Sequence, residues 1–171
     1  VQVEKYYPML PGVTHVPYGN CGKCPYKERP ETCDAECIKY IENELFEKYL
    51  PASEVAAIFV EPVQGEGGYI IPDKKFFQRL RELTSKHGIL LVSDEIQSGV
   101  GRTGKFYAIE HFDVVPDIIC IAKGIASGLP LGALLAPKEI MNWKPGSHGS
   151  TFGGNVVACA AAVTTLNLIE R

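Results

Sequence analysis

Three side chains set the chemistry to look for. Lys123 follows the apolar run 118–122, Asp94 comes one serine after the apolar run 89–92, and Gln97 stands three residues beyond Asp94. An amine condenses with an aldehyde, a carboxylate facing a pyridine nitrogen keeps that nitrogen protonated, and an amide tunes a phenolic oxygen. Together these groups suit catalysis with pyridoxal 5'-phosphate (PLP), held by Lys123 as a Schiff base. Once displaced by a substrate amine, the same lysine is free to move a proton between substrate and cofactor carbons. Two more acids, Glu61 and Glu66, lie in the loop Glu61-Pro-Val-Gln-Gly-Glu-Gly-Gly68 after a third apolar run, 55–60. Taken singly, each residue has a plainer reading. A lysine before glycine starts a surface helix, an aspartate after a strand caps a turn, and loop glutamates beside glycines are solvated. Their repeated placement at the ends of apolar runs is what joins them.

The elements that must position these groups follow from periodicity. Residues 1–32 hold five prolines and little regular spacing, which predicts a meandering loop segment. A helix is expected from about Asp34, with Ile38, Ile41, Leu45 and Tyr49 on one face and Pro51 as its stop. The run 55–60 is a strand without alternation, the pattern of a parallel strand covered on both faces. Asp73 then caps a helix that turns Phe76, Phe77, Leu80 and Leu83 inward and ends at Gly88, before a second strand at 89–92. A short amphipathic piece at 105–112 leads to a third strand at 118–122. A fourth strand near 131–136 and a helix from about Asn155 complete the pattern. The expected architecture is α/β with a mostly parallel sheet flanked by helices, and its ligands gather beyond the carboxyl ends of the strands.

Composition narrows the partners. The 171 residues are 46% hydrophobic, enough for a core, and carry 17 basic against 20 acidic side chains for a net charge of -3. No basic stripe marks a nucleic-acid binder, and no apolar stretch is long enough to span a membrane. A cytoplasmic protein is expected. The chain opens without an initiator Met and stops within an apolar run, so it reads as an internal excerpt of a longer protein.

Four segments carry a resemblance. Glu61-Pro-Val-Gln-Gly-Glu-Gly-Gly68, Ser93-Asp-Glu-Ile-Gln-Ser-Gly-Val-Gly-Arg-Thr-Gly104, Ala122-Lys-Gly-Ile-Ala-Ser-Gly-Leu-Pro-Leu-Gly132 and Ser150-Thr-Phe-Gly-Gly-Asn155 closely resemble the class III aminotransferases, in order and spacing, from about residue 50 to the end. The resemblance implies PLP-dependent transferase fold type I. Residues 1–50 would form a Pro/Gly/Cys-rich loop segment and helix, and residues 51–171 part of the PLP-binding large domain. It makes Lys123 the cofactor lysine, Asp94 the partner of the pyridine nitrogen, Gln97 a contact of the phenolic oxygen and Ile96 a packing residue on the ring. Thr151 would reach the cofactor phosphate of a neighbouring subunit, giving a homodimer with shared active sites. Glu66 resembles the loop acid that pairs with a substrate-gating arginine and leans toward an ω-amino donor such as 4-aminobutyrate or ornithine, with 2-oxoglutarate as acceptor. Some proteins of this group are amino-acid racemases, and the sequence does not separate the two activities. Position 122 is Ala where many relatives have Ser, and Val156 follows Asn155 where Pro is usual; neither position supplies a bond to the cofactor in this reading.

The cysteines lie outside that pattern. Cys21-x2-Cys24 and Cys33-x3-Cys37 suggest a structural metal held by four thiolates, or disulfides, stapling the Pro/Gly-rich loop. Cys120 and Cys159 read as buried thiols. Two rival functions remain: a metal-stapled interaction module built on the four cysteines, and a dinucleotide-binding dehydrogenase using Gly99-Val-Gly-Arg-Thr-Gly104. In the second, the first glycine should follow its strand directly, and here it does not.

Overall fold

A computed structural model describes Pro8 and residues 10–171. The remainder of the Pro-rich segment, residues 1–7 and Met9, lies outside the described residues.

Strands β1 (Ala57–Val60), β2 (Leu90–Asp94), β3 (Ile118–Ile121) and β4 (Ala133–Leu135) form one sheet in the order β1-β2-β3-β4. The first three are parallel, and β4 runs antiparallel to β3. Parallel neighbours need a long return connection. Helix α2 (Lys74–His87) provides it between β1 and β2, and a five-residue 3-10 turn, Ala108–Phe112, lies on the way from β2 to β3. The ends of α2 follow the sequence signals. The Asp73 carboxylate accepts from Lys75 N at 2.9 Å, and Gly88 closes the helix at φ +68°, a left-handed conformation that needs no Cβ.

The main core lies between α2, the helix before it and the sheet. Phe77 is fully buried, its ring 5.2 Å from Phe76 and 4.5 Å from Phe112. Leu80, Leu83, Leu91 and Val60 join the same cluster. A smaller cluster of Ile121, Ile125, Ala126 and Ala162 seats α3 (Val156–Ile169) against the turn after β3.

Two sequence expectations change here. Helix α1 (Glu36–Tyr40) continues as a π-helical stretch, Ile41–Phe46, in which each turn takes up one extra residue. Ile38, Ile41 and Leu45 are buried as expected. Beyond them Leu50, whose N–H also reaches Leu45 O at 2.9 Å, packs on the core, and Tyr49 is 75% exposed. The first strand is also not covered on both faces. By register Phe59, Val92, Ile118, Cys120 and Leu134 share one face, and Phe59 at the sheet edge is 73% exposed because no described element packs on it.

Candidate active site

Register places the carboxyl ends of β1, β2 and β3 on one edge, so the residues that follow them converge. Asp94 ends β2 opposite Cys120 of β3, and Glu95 N donates to Cys120 O at 2.9 Å. Lys123 begins the 3-10 turn Lys123–Ala126 with φ +45°, a left-handed backbone that side chains other than glycine rarely adopt. Its Nζ donates to Gln97 Oε1 at 3.1 Å. Gln97 in turn lies against the loop after β1, for a Cβ on Gly65 would fall 2.4 Å from both Nε2 and Oε1 of its amide. That loop is braced from two sides. Glu61 Oε2 accepts from Gly65 N at 2.8 Å, and the Tyr18 hydroxyl donates to the carbonyls of Glu61 and Pro62 at 3.1 and 3.2 Å. Burial, reinforced by the Glu61 charge, pushes the Tyr18 phenol far above its ordinary pKa, so it stays a donor.

Lys123 and Gln97 are therefore in contact, and Asp94 and Ile96 lie on the same edge of the sheet. Asp94 Oδ1 accepts from Ile96 N at 3.0 Å, which aims the carboxylate back over its own loop. Ile96 is half-buried. Among the described residues neither Lys123 nor Asp94 forms a salt bridge. A lysine amine and a carboxylate on adjacent strand ends, neither in a salt bridge among the described residues, are the groups that a ligand with both an aldehyde and a basic nitrogen would use. Glu66 and Thr151 are exposed, and neither makes a side-chain hydrogen bond among the described residues. A cleft of about 280 Å³ between α1 and α2 is lined by Asp34, Lys39, Glu42, Arg79 and Lys86, charges already paired with one another, and includes none of the strand-end residues.

The cysteine expectations are corrected. Cys21, Cys24, Cys33 and Cys37 are all free, partly buried thiols, and among the described residues no group of three or more His, Cys, Asp or Glu side chains is arranged to hold a metal. Burial raises the Cys21 thiol and pushes that of Cys37 up to about 11. Neither the four-thiolate site nor the disulfides are formed, and the interaction module loses its basis. Cys120 and Cys159 are half-buried. Burial and then the neighbouring Asp94 charge raise the Cys120 thiol. The dinucleotide reading fails on backbone grounds, since Gly99 to Gly104 runs through turns, with Val100 at φ +57° and Gly101 at φ +81°, and opens no α-helix to receive a pyrophosphate.

Sequence reasoning missed two residues. Glu95 is a fully buried acid with several hydrogen-bond donors around it, and Tyr18 ties the Pro-rich segment to the loop after β1. An acid directly after Asp94 was the one available signal for the first. Nothing local marked the second.

The family model described as Aminotransferase class-III matches residues 3–171. The chain belongs to the class III aminotransferases. Among curated relatives of this class III aminotransferase chain, the leucine/methionine racemase of Thermococcus litoralis is 44% identical over 163 residues, covering 95% of this chain and 37% of that protein. The acetylornithine aminotransferase of Methanopyrus kandleri is 43% identical over 167 residues, covering 97% and 37%. The chain thus spans a little over a third of the relatives it matches. Among solved structures, a PLP-bound amine transaminase from an uncultivated Pseudomonas species superposes with a TM-score of 0.88 at 37% identity, covering 98% of this chain and 39% of that one. An ornithine delta-aminotransferase of Plasmodium falciparum gives 0.70 at 40% identity, covering 78% and 33%. The α/β architecture with a mostly parallel sheet is that of the PLP-dependent transaminases, fold type I.

Proposed function

We propose that the protein containing this chain is a PLP-dependent aminotransferase that moves an amino group from an amino acid to a 2-oxo acid. The observation that carries this reading is the contact of Lys123 Nζ with Gln97 Oε1 at 3.1 Å, on the sheet edge that also carries an Asp94 carboxylate with no cation partner among the described residues. When bound, PLP supplies an aldehyde for covalent attachment and a ring that withdraws electrons from the substrate carbon. Lys123 Nζ would hold the cofactor through that aldehyde and, when free, would move the proton at the substrate carbon. The Asp94 carboxylate would hold a proton on the ring nitrogen by charge attraction, Ile96 would pack on the ring, and the Gln97 amide would donate to the phenolic oxygen. Thr151, on an exposed stretch, reaches the phosphate of a neighbouring copy, which makes the working assembly a cytoplasmic homodimer with shared sites. Glu66, exposed on its loop, pairs with a gating arginine elsewhere in the protein and favours an ω-amino donor such as 4-aminobutyrate or ornithine.

In the full-length protein, borohydride reduction should fix PLP to the peptide containing Lys123. Lys123→Ala should remove that adduct and lower turnover by at least ~10²- to 10⁴-fold with the fold unchanged. Attachment at another residue, or full turnover by the variant, would overturn the assignment.

A second reading has its own support, since two relatives more than 40% identical are named as racemases, the second an alanine/serine racemase of Pyrococcus horikoshii. The two reactions differ in which carbon regains the proton and from which face. Amine consumption that requires 2-oxoglutarate marks transamination, and inversion without any 2-oxo acid marks racemisation.

A further inference from the structure

We propose that Glu95 is a positioning residue of the PLP site, a buried carboxylate that bolts the loop carrying Asp94, Ile96 and Gln97 to the chain that follows it and so fixes where Asp94 and Gln97 face. The inference rests on the PLP reading above.

Glu95 is fully buried, yet among the described residues no cation pairs with it. An ionised carboxylate in that position is tolerated only where hydrogen bonds replace water. Both oxygens are supplied. Oε1 accepts from Ile109 N at 2.8 Å and lies 3.5 Å from Ser93 Oγ; Oε2 accepts from Ser98 Oγ at 2.7 Å and from Ala108 N at 3.0 Å. The backbone of Glu95 is engaged as well, its N–H by Cys120 O and its carbonyl by Gly99 N, each at 2.9 Å. One residue therefore joins β2, β3, the loop at Ser98 and the turn Ala108–Phe112.

The loop closes on this acid without slack. A Cβ on Gly99 would fall 2.8 Å from the Glu95 carbonyl oxygen and 3.0 Å from its Cβ, so only glycine lets the chain turn back so closely. With donors on both oxygens the carboxylate has one orientation available, and the residues flanking it inherit that rigidity. Asp94 immediately precedes it, and Gln97 follows by two. The acid that holds the turn Ala108–Phe112 is thus the residue next to one of these groups and two short of the other. Placed between the two groups that face the ligand, it transmits any movement to both of them.

The test uses the full-length holoenzyme and Glu95→Gln, which keeps one acceptor oxygen but presents an N–H to a neighbouring donor. The expected variant folds, retains PLP on Lys123 after borohydride, and binds the cofactor roughly tenfold more weakly, the size usual for groups that orient a contacting ligand. The pH midpoint of its visible absorption should rise, because an Asp94 carboxylate that has drifted no longer holds the positive ring nitrogen that favours loss of the neighbouring proton. A purely structural acid would lower the melting temperature and leave the midpoint where it was, and that result overturns the inference. Should Glu95→Gln fail to fold, Ser98→Ala removes one donor and leaves the carboxylate in place. It should move midpoint and affinity in the same directions by less, and an unmoved midpoint there overturns the inference too. If the parent carries no borohydride adduct at Lys123, the PLP reading falls and takes this inference with it. Normal trapping with an unmoved midpoint removes this inference alone.

Discussion

Gly65 has no side chain, and the Gln97 amide occupies the space one would need. The 2.4 Å separation between a notional Cβ and that amide cannot be relieved without moving Gln97 away from Lys123 Nζ. Gly65→Ala should therefore leave melting behaviour nearly unchanged while weakening PLP binding by about tenfold, read by equilibrium titration of the full-length protein. Unchanged affinity would show that Gln97 shifts without consequence. Lys123 illustrates a related trade. Its φ of +45° is a conformation that typically stores on the order of 1–3 kcal/mol in a non-glycine residue. Surrounding structure must hold it there, and the small cluster of Ile121, Ile125, Ala126 and Ala162 beneath the turn supplies that hold. The strand ends that carry Lys123, Asp94 and Gln97 were legible in the sequence because apolar runs of that length and composition mark buried strands, while the roles proposed for these side chains rest on the family resemblance. Gly65 and Glu95 were not, since their importance lies in what approaches them from residues 32 and 13 to 14 positions away.

Among the elements, α2 was the most legible because its signals are local. Asp73, the buried Phe76, Phe77, Leu80 and Leu83, and Gly88 lie within one continuous stretch, and each does what its chemistry dictates. Asp73→Ala removes an oxygen from Lys75 N and should cost about 1 kcal/mol, measured as a lower denaturant midpoint. A loss near zero would mean that water replaces the cap at this end. Helix α1 was legible only to Leu45. A 3.6-residue repeat places Tyr49 inward, whereas the π-helical stretch advances the chain by an extra residue and brings in Leu50 instead. Such a change of pitch depends on how the helix docks against α2, which no spacing rule encodes. The four cysteines failed as a metal site for a comparable reason. Spacing says which thiols are near in sequence, while the turns of the loop decide which side chains meet, and among the described residues no metal-holding group of three or more forms.

On the scale of the whole molecule, a mostly parallel sheet was readable from successive apolar runs, but its strand order, the antiparallel β4 and the uncovered surfaces were not. Phe59 on the sheet edge and Val156, Val157, Val163 and Leu168 along α3 are all more than half exposed, at 73%, 80%, 63%, 58% and 62%. Apolar side chains left open to this degree along one helix tend to pair with other apolar surface. The 171-residue chain produced alone should consequently self-associate, seen as concentration-dependent mass by light scattering. A monodisperse monomer at every concentration would contradict that expectation. Finally, the Tyr18 phenol grips two carbonyls of the loop that follows β1, some 43 positions along the chain. The leading segment and the half bearing the strand-end groups are thus soldered to each other. Anyone building chimeras by exchanging the first forty or so residues between homologues would be transplanting the anchor of that strand-end rim along with them.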